Sequence, residues 1–136
     1  MVHEWSLAEA VLEAVKKVAI DSGISKINRL IIGLGELQNI DIELFKESIE
    51  ILKGEYSSEI QIDEIEFEDE EAVFKCRRCG EVWRLRDVEL GEDEREAIHF
   101  IPELLHAFVK CPRCNSVDYE ILSGRGVVIK RIEGVK

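Results

Sequence analysis

From Leu7 onward, apolar residues return at helical spacing through Ala10, Val11, Ala14, Val15 and Val18 until Gly23 stops the run. Ser6 followed by Glu9 has the pattern of a capping box, which predicts a helix starting at Ser6. The stretch from Lys26 to Leu34 is rich in Ile and Leu and is punctuated by Gly33 and Gly35, so a strand is expected there. Asp41 is placed to cap a second helix carrying Leu44, Phe45, Ile49 and Leu52, closed by Gly54. Ile60, Ile62, Ile65 and Phe67 then mark a second strand, and the opening half reads α-β-α-β.

The pattern changes after Phe67. An acidic run, Glu68 to Glu71, reads as a solvated face or, alternatively, a hinge, and leads through Ala72, Val73 and Phe74 into a first pair of cysteines. Gly91 to Glu96 is a charged surface run, and Ile101 to Val109 is an apolar helical stretch. Two strands are expected at Val117 to Leu122 and Val127 to Ile132, separated by Ser123-Gly124-Arg125-Gly126, a turn rich in the residue that tolerates positive φ. The fold class is therefore α+β: a small mixed sheet with two helices, and an inserted four-cysteine lobe of zinc-ribbon or rubredoxin-like kind. The first lobe is expected to span residues 1–69 plus 124–136, with the last strand rejoining it, and the inserted lobe residues 70–123.

Charge narrows the range of functions. The 18 Lys and Arg residues face 29 Asp and Glu, a net charge of -11, which would repel a polyanionic backbone and argues against nucleic acid. No segment approaches the roughly 18 apolar residues needed to span a bilayer. The start, Met-Val-His-Glu-Trp-Ser, has no basic region followed by an apolar run, so a cytoplasmic protein with no membrane partner is expected.

Cys76-Arg77-Arg78-Cys79-Gly80 and Cys111-Pro112-Arg113-Cys114-Asn115 read as two metal knuckles, tight turns that aim paired thiolates at one point. They use every cysteine in the chain. Four thiolates leave no ligand position open, so such a site supports folding and does not activate water; structural Zn(II) is the expected occupant. The gap of about thirty residues between the pairs exceeds the roughly fifteen to twenty of a compact zinc ribbon and brings a rubredoxin-like iron site into view. Rubredoxin packs its loop with aromatics, whereas here only Trp83, Phe100 and Phe108 are candidates for a core.

Histidine is scarce: His3, His99 and His106 are the full supply. His3 is singled out by position. An imidazole near a free amino terminus, with the Val2 and Glu4 amides beside it, can wrap Ni(II) or Cu(II) in fused chelate rings of nitrogen donors. His3-Glu4-Trp5-Ser6-Leu7 opening an amphipathic helix, Gly35-Glu36-Leu37, and the two C-x-x-C knuckles together resemble the HypA/HybF family of nickel metallochaperones over nearly the whole chain. The resemblance implies transient Ni(II) cargo at the amino terminus, a zinc module, and insertion of nickel into the [NiFe]-hydrogenase large subunit alongside the GTPase HypB, with urease served by some members.

The family's histidine normally follows the initiator methionine, and here Val2 intervenes. Removal of Met1 would leave Val2-His3-Glu4 with the family's spacing, while its retention makes Met1-Val2-His3 an amine, two-amide, imidazole chelate. The expected nickel donors are thus His3, Glu4, Val2 and Met1, while His99 of the inter-knuckle loop is either a plain solvent-exposed histidine or a further ligand that swings in. The activity expected is binding and handover, with no enzyme chemistry; a rubredoxin-like electron carrier and a zinc-ribbon adaptor are the alternatives, and a homodimer stays open.

Overall fold

The computed structural model describes residues 2–136, which fall into two compact units. The first comprises the chain up to Ile32, Ile40–Glu68 and Ile129–Lys136; the second comprises Gly33–Asn39 and Asp69–Val128. The short segment Gly33–Asn39, expected in the first lobe, thus belongs to the second unit, as does the turn that precedes the last strand.

Helix α1 spans Val2–Asp21, four residues further upstream than the Ser6 cap predicts. Glu4 explains the extension. Its side chain is only 7% exposed and accepts the Asp41 backbone N–H at 3.1 Å, and an acidic group in the first turn complements the helix dipole. The buried stripe of α1 is Ala8, Val11, Leu12, Val15 and Ala19, about one position round from the expected one; Ala10, Ala14 and Val18 face outward. Apolar residues cover more than half of this helix, so packing selects the face that carries Leu12. At the far end Gly23 takes φ 72°, and the Ile24 N–H reaches back to the Ala19 carbonyl at 2.8 Å.

Strand β1, Lys26–Gly35, is central in a three-stranded sheet of order β2-β1-β6, where β2 is Gln61–Glu70 and β6 is Val127–Val135. A strand paired on both edges and buried from Leu30 to Gly35 needs the continuous apolar run seen in the sequence. β1 and β2 are joined through α2, Ile42–Glu55, and run parallel, with Lys26 3.2 Å from Asp63 and Arg29 paired to Glu66. As expected, Asp41 caps α2 by accepting the Leu44 N–H, and Phe45, Ile49 and Leu52 are buried. The acidic run is not a free hinge: Glu68 to Glu70 finish β2, although the boundary between the units does fall between Glu68 and Asp69.

In the second unit, β3 (Val73–Cys76) lies between β4 (Val82–Arg84) and β5 (Tyr119–Ser123), antiparallel to both. The charged run after Gly91 is part of a helix, α3, Glu92–Phe100, and His99 is on that helix and not in a loop. Glu94 accepts the Gly91 N–H at 2.8 Å, and three acidic residues occupy the first turn, where the dipole favours them. A short α4, Leu105–Phe108, follows.

Gly35 and Gly124 bring backbones into direct contact. A Cβ on Gly35 would lie 2.4 Å from the Gly124 carbonyl oxygen, and one on Gly124, at φ 89°, would lie 2.5 Å from the Ala72 backbone. Gly124→Ala is expected to destabilise the protein by about 2–4 kcal/mol, combining left-handed strain with the clash, as read from urea unfolding.

Candidate metal centre

Both knuckles are built the same way. The Cys76 N–H donates to the Glu81 carbonyl and the Gly80 N–H to the Cys76 carbonyl; in the second, the Cys111 N–H donates to Ser116 and the Asn115 N–H to Cys111. Each turn needs a left-handed residue after its second cysteine, supplied by Gly80 at φ 80° and by Asn115 at φ 62°. The Cys79 N–H points to the Cys76 sulfur and the Cys114 N–H to the Cys111 sulfur, both at 3.5 Å.

These turns gather the four sulfurs within 4.8 Å of one another, with Cys76 3.5 Å from Cys114 and Cys79 3.5 Å from Cys111. A tetrahedral ion with metal–sulfur bonds near 2.3 Å has sulfur–sulfur edges of roughly 3.8 Å, so the donor set fits one closed tetrathiolate ion. The local electrostatics prepare for it. The Cys79 amide holds the Cys76 thiol down to about 6. At Cys79 the Glu81 amide also pulls downward, but burial and the neighbouring sulfurs push the thiol up to about 12. Four sulfurs this close cannot all ionise without a cation among them.

An aromatic cluster supports the cage from within the same unit. Phe74, Trp83 and Tyr119 pack with ring centroids 5.1–5.4 Å apart, in one apolar core with Cys76 and Cys111. The Tyr119 hydroxyl donates to the Val109 carbonyl at 2.8 Å, two residues before Cys111. Of the three aromatics the sequence suggested for this core, Trp83 is buried, whereas Phe100 and Phe108 are 60% and 36% exposed. Phe74 and Tyr119 were the residues missed. The alternation of Phe74 and Cys76 about Lys75 was the available signal, obscured because only four residues show it.

His3 is exposed in the first turn of α1, and Glu4 beside it turns its carboxylate inward to Asp41. Met1, expected among the nickel donors, lies outside the described residues, and for Val2 only its place in α1 is described. His99 is exposed on α3 in the second unit, its ring 5.4 Å from that of Phe100. His106 has a structural role, stacking on Tyr119 at 4.5 Å with Nδ1 3.1 Å from the Val117 carbonyl.

A family model described as hydrogenase/urease nickel incorporation, metallochaperone, hypA matches residues 2–134. The chain is 46% identical over 133 residues to the hydrogenase maturation factor HypA of Pyrococcus furiosus, covering 96% of this chain and 94% of that protein. Against the factor of the same name from Pyrococcus horikoshii the identity is 47% over 134 residues, with the same coverage. The fold matches the solution structure of the Ni metallochaperone HypA from Helicobacter pylori with a TM-score of 0.64, at 20% identity and 97% coverage of both chains.

Removal of the caged ion by a chelator is expected to abolish the near-ultraviolet signal of Trp83 and Tyr119, because the knuckles lose the cation that lets their thiolates coexist. Acid should do the same: metal-bound thiolates stay deprotonated while free thiols do not, so this stability is present at high pH and lost as pH falls. Elemental analysis across a pH series checks both. At the alkaline end, burial pushes the Tyr119 hydroxyl up to about 12 from an ordinary value near 10. The folded state therefore keeps a proton that the unfolded state loses between those values, and stability falls as pH rises through them. Tyr119→Phe should flatten that part of the urea-midpoint profile while costing about 1 kcal/mol at neutral pH.

Proposed function

Because the chain belongs to the HypA family of hydrogenase/urease nickel-incorporation metallochaperones, we propose that it takes up Ni(II) at its amino terminus and hands it on during [NiFe]-hydrogenase maturation. The donors in this reading are the His3 imidazole, the terminal amine contributed by Met1 or Val2, and the backbone amides up to Glu4. His99 is the candidate for one additional ligand. The observation that carries the reading is the exposure of His3 in the first turn of α1. The first N–H groups of a helix have no intrahelical acceptor, so amides there can be given up to a metal without dismantling the helix. Glu4 adds negative charge close by and, through Asp41, keeps that turn in place.

The second metal has a different task. Zn(II) fits Cys76, Cys79, Cys111 and Cys114 as a closed structural ion, which organises the second unit and leaves no position for water or substrate. Nitrogen donors that must shed protons to bind suit a cargo that is released; a sulfur tetrahedron suits one that is kept. The protein therefore acts by capture and handover without turnover. Its partners in this reading are the GTPase HypB and the hydrogenase large subunit, in the cytoplasm. Among the described residues no helix is long and apolar enough to cross a membrane.

Calorimetric titration of zinc-loaded protein with Ni(II) tests the proposal. His3→Ala, and separately acetylation of the terminal amine, should each weaken uptake at least tenfold while zinc content and helicity stay unchanged. Equal Ni(II) binding by the parent and both altered proteins would refute an amino-terminal cargo site.

A further inference from the structure

The motif Gly35-Glu36-Leu37 takes no part in either metal site, yet it is held by hydrogen bonds at each of its residues. The Gly35 N–H donates to the Gly126 carbonyl at 2.7 Å, the Glu36 N–H to Glu70 at 2.9 Å, and the Leu37 N–H to Gly124 at 2.7 Å. The Gly126 N–H returns to the Leu37 carbonyl at 3.1 Å, and the Glu36 carboxylate accepts the Ala72 N–H at 2.9 Å. Arg125 lies between the two glycines, so its backbone is clamped on both sides, and among the described residues its exposed guanidinium has no ion-pair partner.

Arg125 lines a cavity of about 200 Å³ together with Leu37, Leu105, Ile121, Glu103 and His106. That volume is below the roughly 300 Å³ at which drug-sized ligands begin to fit, so the cavity accepts a single side chain. The stretch supplying Leu105 and His106 also presents Phe100, Ile101, Leu104 and Phe108 at 60, 51, 36 and 36% exposure. Four large apolar side chains exposed within nine residues mark an interaction surface and not a solvated helix.

We propose that this cavity docks a partner polypeptide that presents one apolar side chain beside a carboxylate, such as an apolar carboxyl-terminal residue. The apolar group fills the space over Leu37, Leu105 and Ile121. The carboxylate pairs with the Arg125 guanidinium, whose planar donors match it in two parallel hydrogen bonds. Phe100 and Phe108 extend the contact along the partner chain. Glu103 opposes a carboxylate at the rim and so tunes the affinity downward. The inference is independent of where nickel binds.

An NMR titration of the full zinc-loaded protein with the peptide acetyl-Gly-Ser-Gly-Leu, carrying a free carboxyl terminus, tests it. Shifts are expected at Leu37, Leu105 and Ile121. Amidating the peptide or introducing Arg125→Gln should weaken binding about tenfold, the effect of one charge-assisted pair, and Glu103→Gln should strengthen it. Unchanged spectra away from the turn show that Arg125→Gln folds normally. No shift at millimolar peptide, or equal affinity for acid and amide, would overturn the proposal.

Discussion

Four sulfur atoms crowded within 4.8 Å of one another define a space that only a cation makes stable. Without one, ionising any thiolate raises the cost of ionising the next: the Cys79 amide holds the Cys76 thiol low, while burial and the neighbouring sulfurs push Cys79 high against the pull of the Glu81 amide. With one, all four can be charged together, and the two knuckles, about thirty residues apart in sequence, become a single cross-link. The second unit has a core of only eleven buried residues, two of them cysteines of the cage. A core that small needs such a staple. Tyr119 joins the two parts, since its ring completes the aromatic cluster and its hydroxyl holds the segment leading from α4 into Cys111.

The amino-terminal turn relies on the opposite physics. His3 faces solvent, and the Glu4 carboxylate anchors the turn on the Asp41 amide, at the start of α2. An exposed imidazole on an anchored first turn suits the reversible coordination proposed for it, in which proton competition would set the release. In the proposed function, permanence and exchange are thus divided between sulfur and nitrogen donors.

Glycine accounts for the remaining architecture. Gly35 and Gly124 let backbones approach where no side chain fits, and that close approach makes the Gly35-Glu36-Leu37 loop a rigid frame for Arg125. Rigidity of this kind lowers the entropic cost of presenting a charged side chain to a partner. The exposed apolar stretch from Phe100 to Phe108 lies on the next segment lining the same cavity, so anchor and apolar contact are neighbours.

Much of this was legible in the chain itself. The C-x-x-C spacing defines a metal knuckle through local geometry alone, the Asp41 cap and the β1 apolar run act within a few residues, and the combination of His3, Gly35-Glu36-Leu37 and four cysteines pointed to the right family. Interactions remote in sequence decided the rest. Glu4 extends α1 past its apparent cap because Asp41 supplies a partner 37 residues away, and the buried stripe of α1 depends on which of two apolar arcs meets the core. The fates of Phe74, Phe100, Phe108 and Tyr119 likewise depended on which strands and helices pack together, because the same aromatic residue is core or surface according to neighbours that short-range pattern does not encode.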